Sequence, residues 1–214
     1  THDQIEAMTL GHRVAVLKPV TAKRPDNLQQ VAAPTVLFND PNNLFVAGFI
    51  GSPAMNMVYG TLDSTDGEVW VSFAGLRMKV AQRALDRHPG LENSMGKQLV
   101  VGIRPGDFEA AAVAGPDPTR TLTANVEVAE VLGSETFVHY ELHAPPVITP
   151  DIEELLADTG ADPESLGDTT KFSSRVSSDV PVNFGESLDL VIDTGKFHFF
   201  DPESGLRIGA TAAS

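Results

Sequence analysis

Four groups of residues have types and spacings that chemistry could use: His139 with His143, Gly90 with Gly96 and Lys97, the acids between Pro145 and Thr170, and the single histidine at position 2. His139 and His143 fall on one face of a predicted strand. Two imidazoles so placed could ligate a metal, but no third ligand accompanies them, and a surface or satisfied pair is the plainer reading. A phosphate-binding loop separates its glycines by four residues and follows the second with Lys and a hydroxyl residue. Here five residues lie between Gly90 and Gly96, and Lys97 is followed by Gln98, so this segment is expected to be a turn into a strand at Leu99. Asp151, Glu153, Glu154, Asp158, Asp162, Glu164 and Asp168 lack the alternating spacing and central Gly of an EF-hand loop. They are expected to form a solvated acidic excursion between strands, around a short helix with Ile152, Leu155 and Leu156. Neither a Gly-x-Ser-x-Gly elbow nor a His-Glu-x-x-His helix occurs. What remains is His2, which on composition alone is an exposed histidine near a chain end.

The elements that must position these residues belong to an ordinary globular chain. Its 214 residues are 42% apolar and 21% charged, enough for a real core in one large domain or two small ones. The absence of cysteine excludes a disulfide framework, a thiolate nucleophile and a zinc-thiolate site, and suits a reducing compartment. Fifteen Lys and Arg against 29 Asp and Glu give a net charge of −14, a repulsive field for nucleic acid or anionic lipid. The longest apolar run, Leu44 to Ile50, is far short of the roughly 20 residues of a membrane-spanning helix. There is no signal-peptide pattern, and the start at Thr1 suggests a truncated or processed chain.

Along the chain, Asp3 and Glu6 form a capping box for a short helix that Gly11 ends. Arg13 to Leu17 and Leu28 to Val31 are expected to pair as a hairpin, separated by a basic solvated loop with Lys18, Lys23 and Arg24. Pro34 suits the first turn of one helix and Asn43 caps a second through Ile50. Gly51-Ser52-Pro53 then breaks the pattern, which places a domain boundary between residues 52 and 53. Beyond it, strands are predicted at Met57–Leu62, Glu68–Phe73, Leu76–Val80, Leu99–Ile103, Thr121–Val131, Thr136–Leu142, Phe172–Val176, Leu188–Ile192 and Lys196–Phe200. Many short strands with Gly, Asp and Pro punctuation define a mainly β chain with a small α/β N-terminal remnant, its second part a small barrel or a pair of them. Trp70, Phe73 and Phe199 belong to the barrel interior in this reading, with a partner-facing surface as the alternative.

The order of the short motifs carries more than any one of them. Thr1-His2-Asp3-Gln4-Ile5-Glu6-Ala7-Met8 followed by Arg13-Val14-Ala15-Val16 resembles the switch-histidine segment and next strand of ABC-transporter ATPases. Leu28 to Val31, Pro34, Leu37, Phe38, Pro41, Asn43 and the run Leu44 to Asn56 are similar to the end of the nucleotide-binding domain in sugar-importer ATPases serving maltose, trehalose, other oligosaccharides and glycerol 3-phosphate. Gly102-Ile103-Arg104-Pro105 is similar to the Gly-Ile-Arg-Pro signature of that family's C-terminal regulatory domain, and Val128 to Glu135, Phe199-Phe200-Asp201 and Gly205 resemble its later strands. The hairpin after Lys18 is longer than the family's usual short turn, and Gly11-His12 stands where an acidic residue commonly precedes the strand.

The resemblance implies residues 1–52 as the end of an ABC nucleotide-binding domain and 53–214 as a TOBE or OB-type barrel domain with an acidic insertion near 145–170. It gives His2 the role of the switch histidine, the one catalytic residue carried over. In the intact parent it implies ATP and Mg²⁺, a homodimer with a second ATPase subunit, transmembrane permease partners, and a place on the cytoplasmic face of the membrane without direct insertion. The Walker A loop, the signature motif and the Walker B strand do not occur in the 214 residues, so this chain alone is expected neither to hold ATP tightly nor to hydrolyse it. A free-standing barrel that binds a small ligand or an anion is the alternative reading.

Overall fold

In a computed structural model, the structure describes residues 3–18, 27–150, 152–153 and 167–210. The chain begins with helix α1 (Gln4–Leu10), capped by Asp3, whose Oδ1 accepts from the Glu6 amide at 2.9 Å. Gly11 ends it in an extended conformation, so the glycine is needed for space: a Cβ there would lie 2.9 Å from the Ala7 carbonyl oxygen. Strands β1 (Val14–Leu17) and β2 (Leu28–Ala32) pair antiparallel as expected. Lys18 corrects the solvated-loop reading: it is buried, with its ammonium 4.7 Å from the Phe45 ring centre. Lys23 and Arg24 lie outside the described residues.

Pro34 opens α2 (Pro34–Asn39), where its missing N–H costs nothing. In α3 (Leu44–Phe49), Asn43 Oδ1 accepts from the Val46 amide at 2.9 Å. Four of its six residues are buried, because α3 is apolar on both sides. Phe45 and Val46 pack with Val16, Leu37 and Ile50, while Leu44 and Ala47 pack with Met57, Val100 and Phe200 of the β region.

That β region begins with β3 (Asn56–Thr65), β4 (Glu68–Phe73) and β5 (Leu76–Lys79). A short helix α4 (Gln82–Arg87) leads to β6 (Gln98–Ile103), then β7 (Phe108–Ala110), α5 (Ala111–Ala114), β8 (Thr121–Asn125), β9 (Val128–Leu132) and β10 (Glu135–Leu142). After the acidic segment come β11 (Thr170–Ser177), β12 (Ser187–Ile192) and β13 (His198–Phe200). They form a five-stranded sheet ordered β13-β6-β3-β4-β5 and two three-stranded sheets, β7-β12-β8 and β11-β10-β9.

Strand alternation explains how the sheets close on a core. In β10, Val138 and Tyr140 point inward with Phe172 and Val176 of β11, Leu122 of β8 and Leu190 of β12. Strand β6 is buried on both faces: Leu99, Val101 and Ile103 enter this core, and Val100 meets α3. Phe73 and Phe199 are buried in the barrel, as expected, and Trp70 is half-buried under Arg77, whose guanidinium lies 4.4 Å from the indole.

The predicted strand Thr121–Val131 is two strands in different sheets. Leu122, Ala124 and Val126 keep one inward phase, and then the chain changes partners: the Val126 amide donates to Glu186 O and the Glu127 amide to His139 O. Val128 and Val131 are exposed as a result. The predicted strand at Lys196 starts two residues later, since Asp193 Oδ1 caps a 3-10 turn through Lys196.

Two buried histidines complete the interior. The His88 ring lies 2.8 Å from Ala84 O through Nδ1, and its Nε2 accepts from the Phe199 amide at 3.3 Å. That pair of contacts fits a neutral ring with the proton on Nδ1. Burial pulls the His88 pKa down to about 4, and burial pulls His198 well below the usual histidine range.

Candidate functional site at the helix and barrel junction

His2 lies outside the described residues; its neighbour Asp3 and helix α1 are described. Gln4 anchors that helix: its Oε1 accepts from the Gly51 amide at 3.1 Å, across 47 residues of sequence. Asp3, Gln4, Ile5 and Met8 thereby line a groove of about 510 Å³ with Ile50, Gly51 and Ser52. Gly51 has φ +124, a conformation that other residues adopt only with strain, and a Cβ there would lie 2.9 Å from the Arg104 guanidinium.

Arg104, from the Gly-Ile-Arg-Pro run after β6, grips the same loop from the barrel side. Its Nη1 donates to Ala47 O at 3.2 Å and also to Ile50 O, and its Nη2 donates to Phe38 O at 2.7 Å. The guanidinium also lies 4.2 Å from the Phe38 ring centre. Only 3% of Arg104 is exposed, and burial pulls its pKa down to about 10, so it stays charged at neutral pH. Guanidinium geometry suits this task, because several N–H groups diverge in one plane toward the carbonyls. The segment beside His2 and the barrel therefore meet at residues 50 and 51.

The other sequence candidates are placed as follows. His139 sits on β10 with Nδ1 2.8 Å from Ser173 Oγ, whereas His143 lies beyond the strand's end, so the two do not share a strand face. No group of three or more metal-ligating side chains forms among the described residues. Gly90 and Gly96 take positive φ in the turn before β6. The Gly96 amide donates to Leu62 O and the Lys97 amide to Ser94 O, so neither is free for a phosphate. This turn therefore does not fit a nucleotide-phosphate cradle. Of the acidic segment, Ile152 and Glu153 are helical, and Leu155, Leu156 and most of the acids lie outside the described residues. No helix of the described residues is long and apolar enough to cross a membrane.

Gln4 and Gly51 were missed as functional residues in the sequence, and Arg104 carried only a motif match. The one available signal was a cation directly after the apolar run Leu99–Ile103 and before Pro105.

An OB-type barrel carrying a short helical and hairpin segment is the class that this fold defines, and residues 51–108 match the MalK OB fold domain family. Over 211 residues the chain is 36% identical to the trehalose import ATP-binding protein SugC of Mycobacterium tuberculosis, covering 97% of this chain and 50% of that protein. It is 35% identical to the multiple sugar-binding transport ATP-binding protein MsmK of Streptococcus mutans, covering 97% and 49%. It is 31% identical to the oligosaccharides import ATP-binding protein MsmX of Bacillus subtilis, covering 97% and 47%. The chain is similar along nearly its whole length to part of these sugar-import ATP-binding proteins, and it spans about half the length of the curated relatives it matches. Because the similarity runs through residues 1–52 as well as the barrel, the free-standing barrel reading is not favoured. A solved structure of the cytoplasmic molybdate-binding protein ModG aligns with a TM-score of 0.40 and 15% identity over 67% of this chain and 94% of that one, too distant to bear on function.

Proposed function

We propose that the intact protein is the ATP-hydrolysing subunit of an ABC importer for carbohydrates or glycerol phosphate, and that this chain supplies its switch histidine and its regulatory barrel domain. The observation that carries the reading is the similarity over 97% of the chain to subunits named for sugar import. In this reading residues 1–52 end the nucleotide-binding domain and residues 53–214 form the regulatory domain. ATP and Mg²⁺ are held by parts of the parent outside this chain. Its partners are a second ATPase subunit and the transmembrane permease subunits, on the cytoplasmic face of the membrane.

His2 is the catalytic residue of this proposal. Its task in the parent is to place a hydrogen-bond donor where phosphoryl transfer concentrates charge, a step governed by alignment and electrostatics. The exposed apolar side chains Ile5, Leu10, Leu17 and Leu28 support a further packing partner on the N-terminal segment, as a catalytic domain would provide. The test is His2→Ala in the full-length parent, assayed for ATP turnover and nucleotide binding. Turnover should fall about 100-fold or more with binding retained. Unchanged turnover would remove His2 from the mechanism, and a full-length protein without ATPase activity would overturn the reading.

A further inference from the structure

A cleft of about 720 Å³ opens where the end of the N-terminal segment meets the barrel, within the size range of small-molecule sites. Five cationic side chains line it: Arg83, Arg87, Arg104, Arg175 and Lys196. Three carboxylates, Asp40, Asp107 and Glu135, line it as well. The cleft thus carries an excess of positive charge in a chain whose net charge is −14. Such an inversion of sign in a concave region concentrates anions there.

The pairing within the cleft leaves a definite remainder. Arg87 pairs with Asp40 at 3.2 Å, Lys196 with Asp107 at 3.0 Å, and Arg175 with Glu135. Arg83 has no hydrogen-bond or ion-pair partner among the described residues. Arg104 is buried against neutral carbonyls, without a carboxylate in hydrogen-bond contact, and its Nε has no partner at all. The carboxylate that acts on Arg104 through space is Asp107, which is already bonded to Lys196, so a negative charge delivered to the cleft would be stabilised. Five cationic side chains against three carboxylates leave the cleft an excess of two positive charges, which matches a phosphate monoester carrying about −1.5 to −2 near neutral pH. The side walls at Pro53, Pro105 and Phe137 leave apolar room for its organic part.

We propose that this cleft binds a small phosphate-bearing anion, with Arg83 and Arg175 at its mouth and the Arg104 charge behind them. Phe38, Asp40 and Ser52 from the N-terminal segment share the cleft with barrel residues, so the bound anion would hold the two together. The proposal rests on the cleft and stands apart from the importer reading.

The test is calorimetric titration of the purified 214-residue chain at fixed ionic strength with glucose 6-phosphate and, separately, inorganic phosphate. Saturable binding of one equivalent is expected. Arg83→Glu and Arg175→Gln, both at exposed positions, should each weaken it about tenfold or more. Lys171→Glu, an exposed change of the same charge as Arg83→Glu but outside the cleft, should leave it unchanged. Tighter binding of the ester assigns the organic part a role, and equal binding assigns the site to the phosphate group alone. No saturable binding of either probe to a chain with a native melting curve overturns the proposal. Equal weakening by Lys171→Glu overturns it too, by reducing the effect to net charge.

Discussion

Asn56 and Ser173 bond to each other as though they were neighbours in a sheet, although 117 residues separate them. The Asn56 side-chain Nδ2 donates to Ser173 O at 2.8 Å, and its Oδ1 accepts from the Ser173 amide at 2.7 Å. The same Nδ2 donates to Ile103 O at 3.0 Å. One side chain at the start of β3 thus joins the five-stranded sheet to β11 and satisfies backbone groups that neither sheet provides for. Asn56→Ala should cost about 2 kcal/mol or more in denaturant unfolding, since three backbone partners lose their bonds. A loss below about 0.5 kcal/mol would mean that water replaces the amide there.

Gly102 of β6 is closely covered: a Cβ would lie 2.5 Å from Met55 Sδ and 3.1 Å from Phe200 Cε2. Gly102→Ala should therefore destabilise by about 1–3 kcal/mol through overpacking. Shortening the flexible neighbour should restore much of this, so a Gly102→Ala, Met55→Val cycle should show favourable coupling. Strictly additive losses would show that the backbone, and not Met55, sets the limit.

Arg104→Met keeps the length of the side chain and removes its charge and its three carbonyl contacts. The change should cost about 2–4 kcal/mol. Hydrogen exchange distinguishes a local pin from a general support: amides of α3 and Gly51 should exchange faster while those of β3 and β6 keep their relative protection. A uniform rise across all strands would contradict the local role.

The buried histidines set a pH dependence with a definite sign. His88 is neutral when folded, with its pKa lowered to about 4 by burial, and the nearby Arg87 and Arg207 add like charge. In the unfolded chain its pKa returns to about 6.5. Between these values the unfolded state binds more protons, so stability is complete above about pH 6.5 and falls as the pH drops toward 4. The slope from His88 approaches about 1.4 kcal/mol per pH unit. In His88→Gln, denaturant unfolding across this range should lose that share of the slope, and an unchanged slope would show that other groups account for it.

The alternation of apolar residues placed most strands in the sequence, because each sheet has a face toward one shared core. It failed at Val126, where the inward phase continues up to the residue at which the chain leaves β12 for β10, a change of partner that local pattern does not encode. The caps at Asp3 and Asn43 were legible because their bonds span only three residues. The junction was not: Gln4 and Gly51 lie 47 residues apart, and Arg104 reaches 66 residues back to Phe38. Such contacts depend on the finished fold, so a motif could mark Arg104 without revealing what it holds.

The loop at Ile50 and Gly51 is held by two grips of unequal strength. On one side the Gly51 amide donates a single neutral hydrogen bond to Gln4 Oε1, and on the other a buried guanidinium donates to three carbonyls. Removing the Gln4 side chain takes one bond from this junction, whereas removing the Arg104 side chain takes three. Helix α1 also keeps Met8 packed against the cluster of Phe45, Val46 and Ile50, so the Gln4 bond is not its sole attachment. The stretch from Phe38 to Ile50 is thus tied to the barrel by more bonds than tie Gly51 to α1.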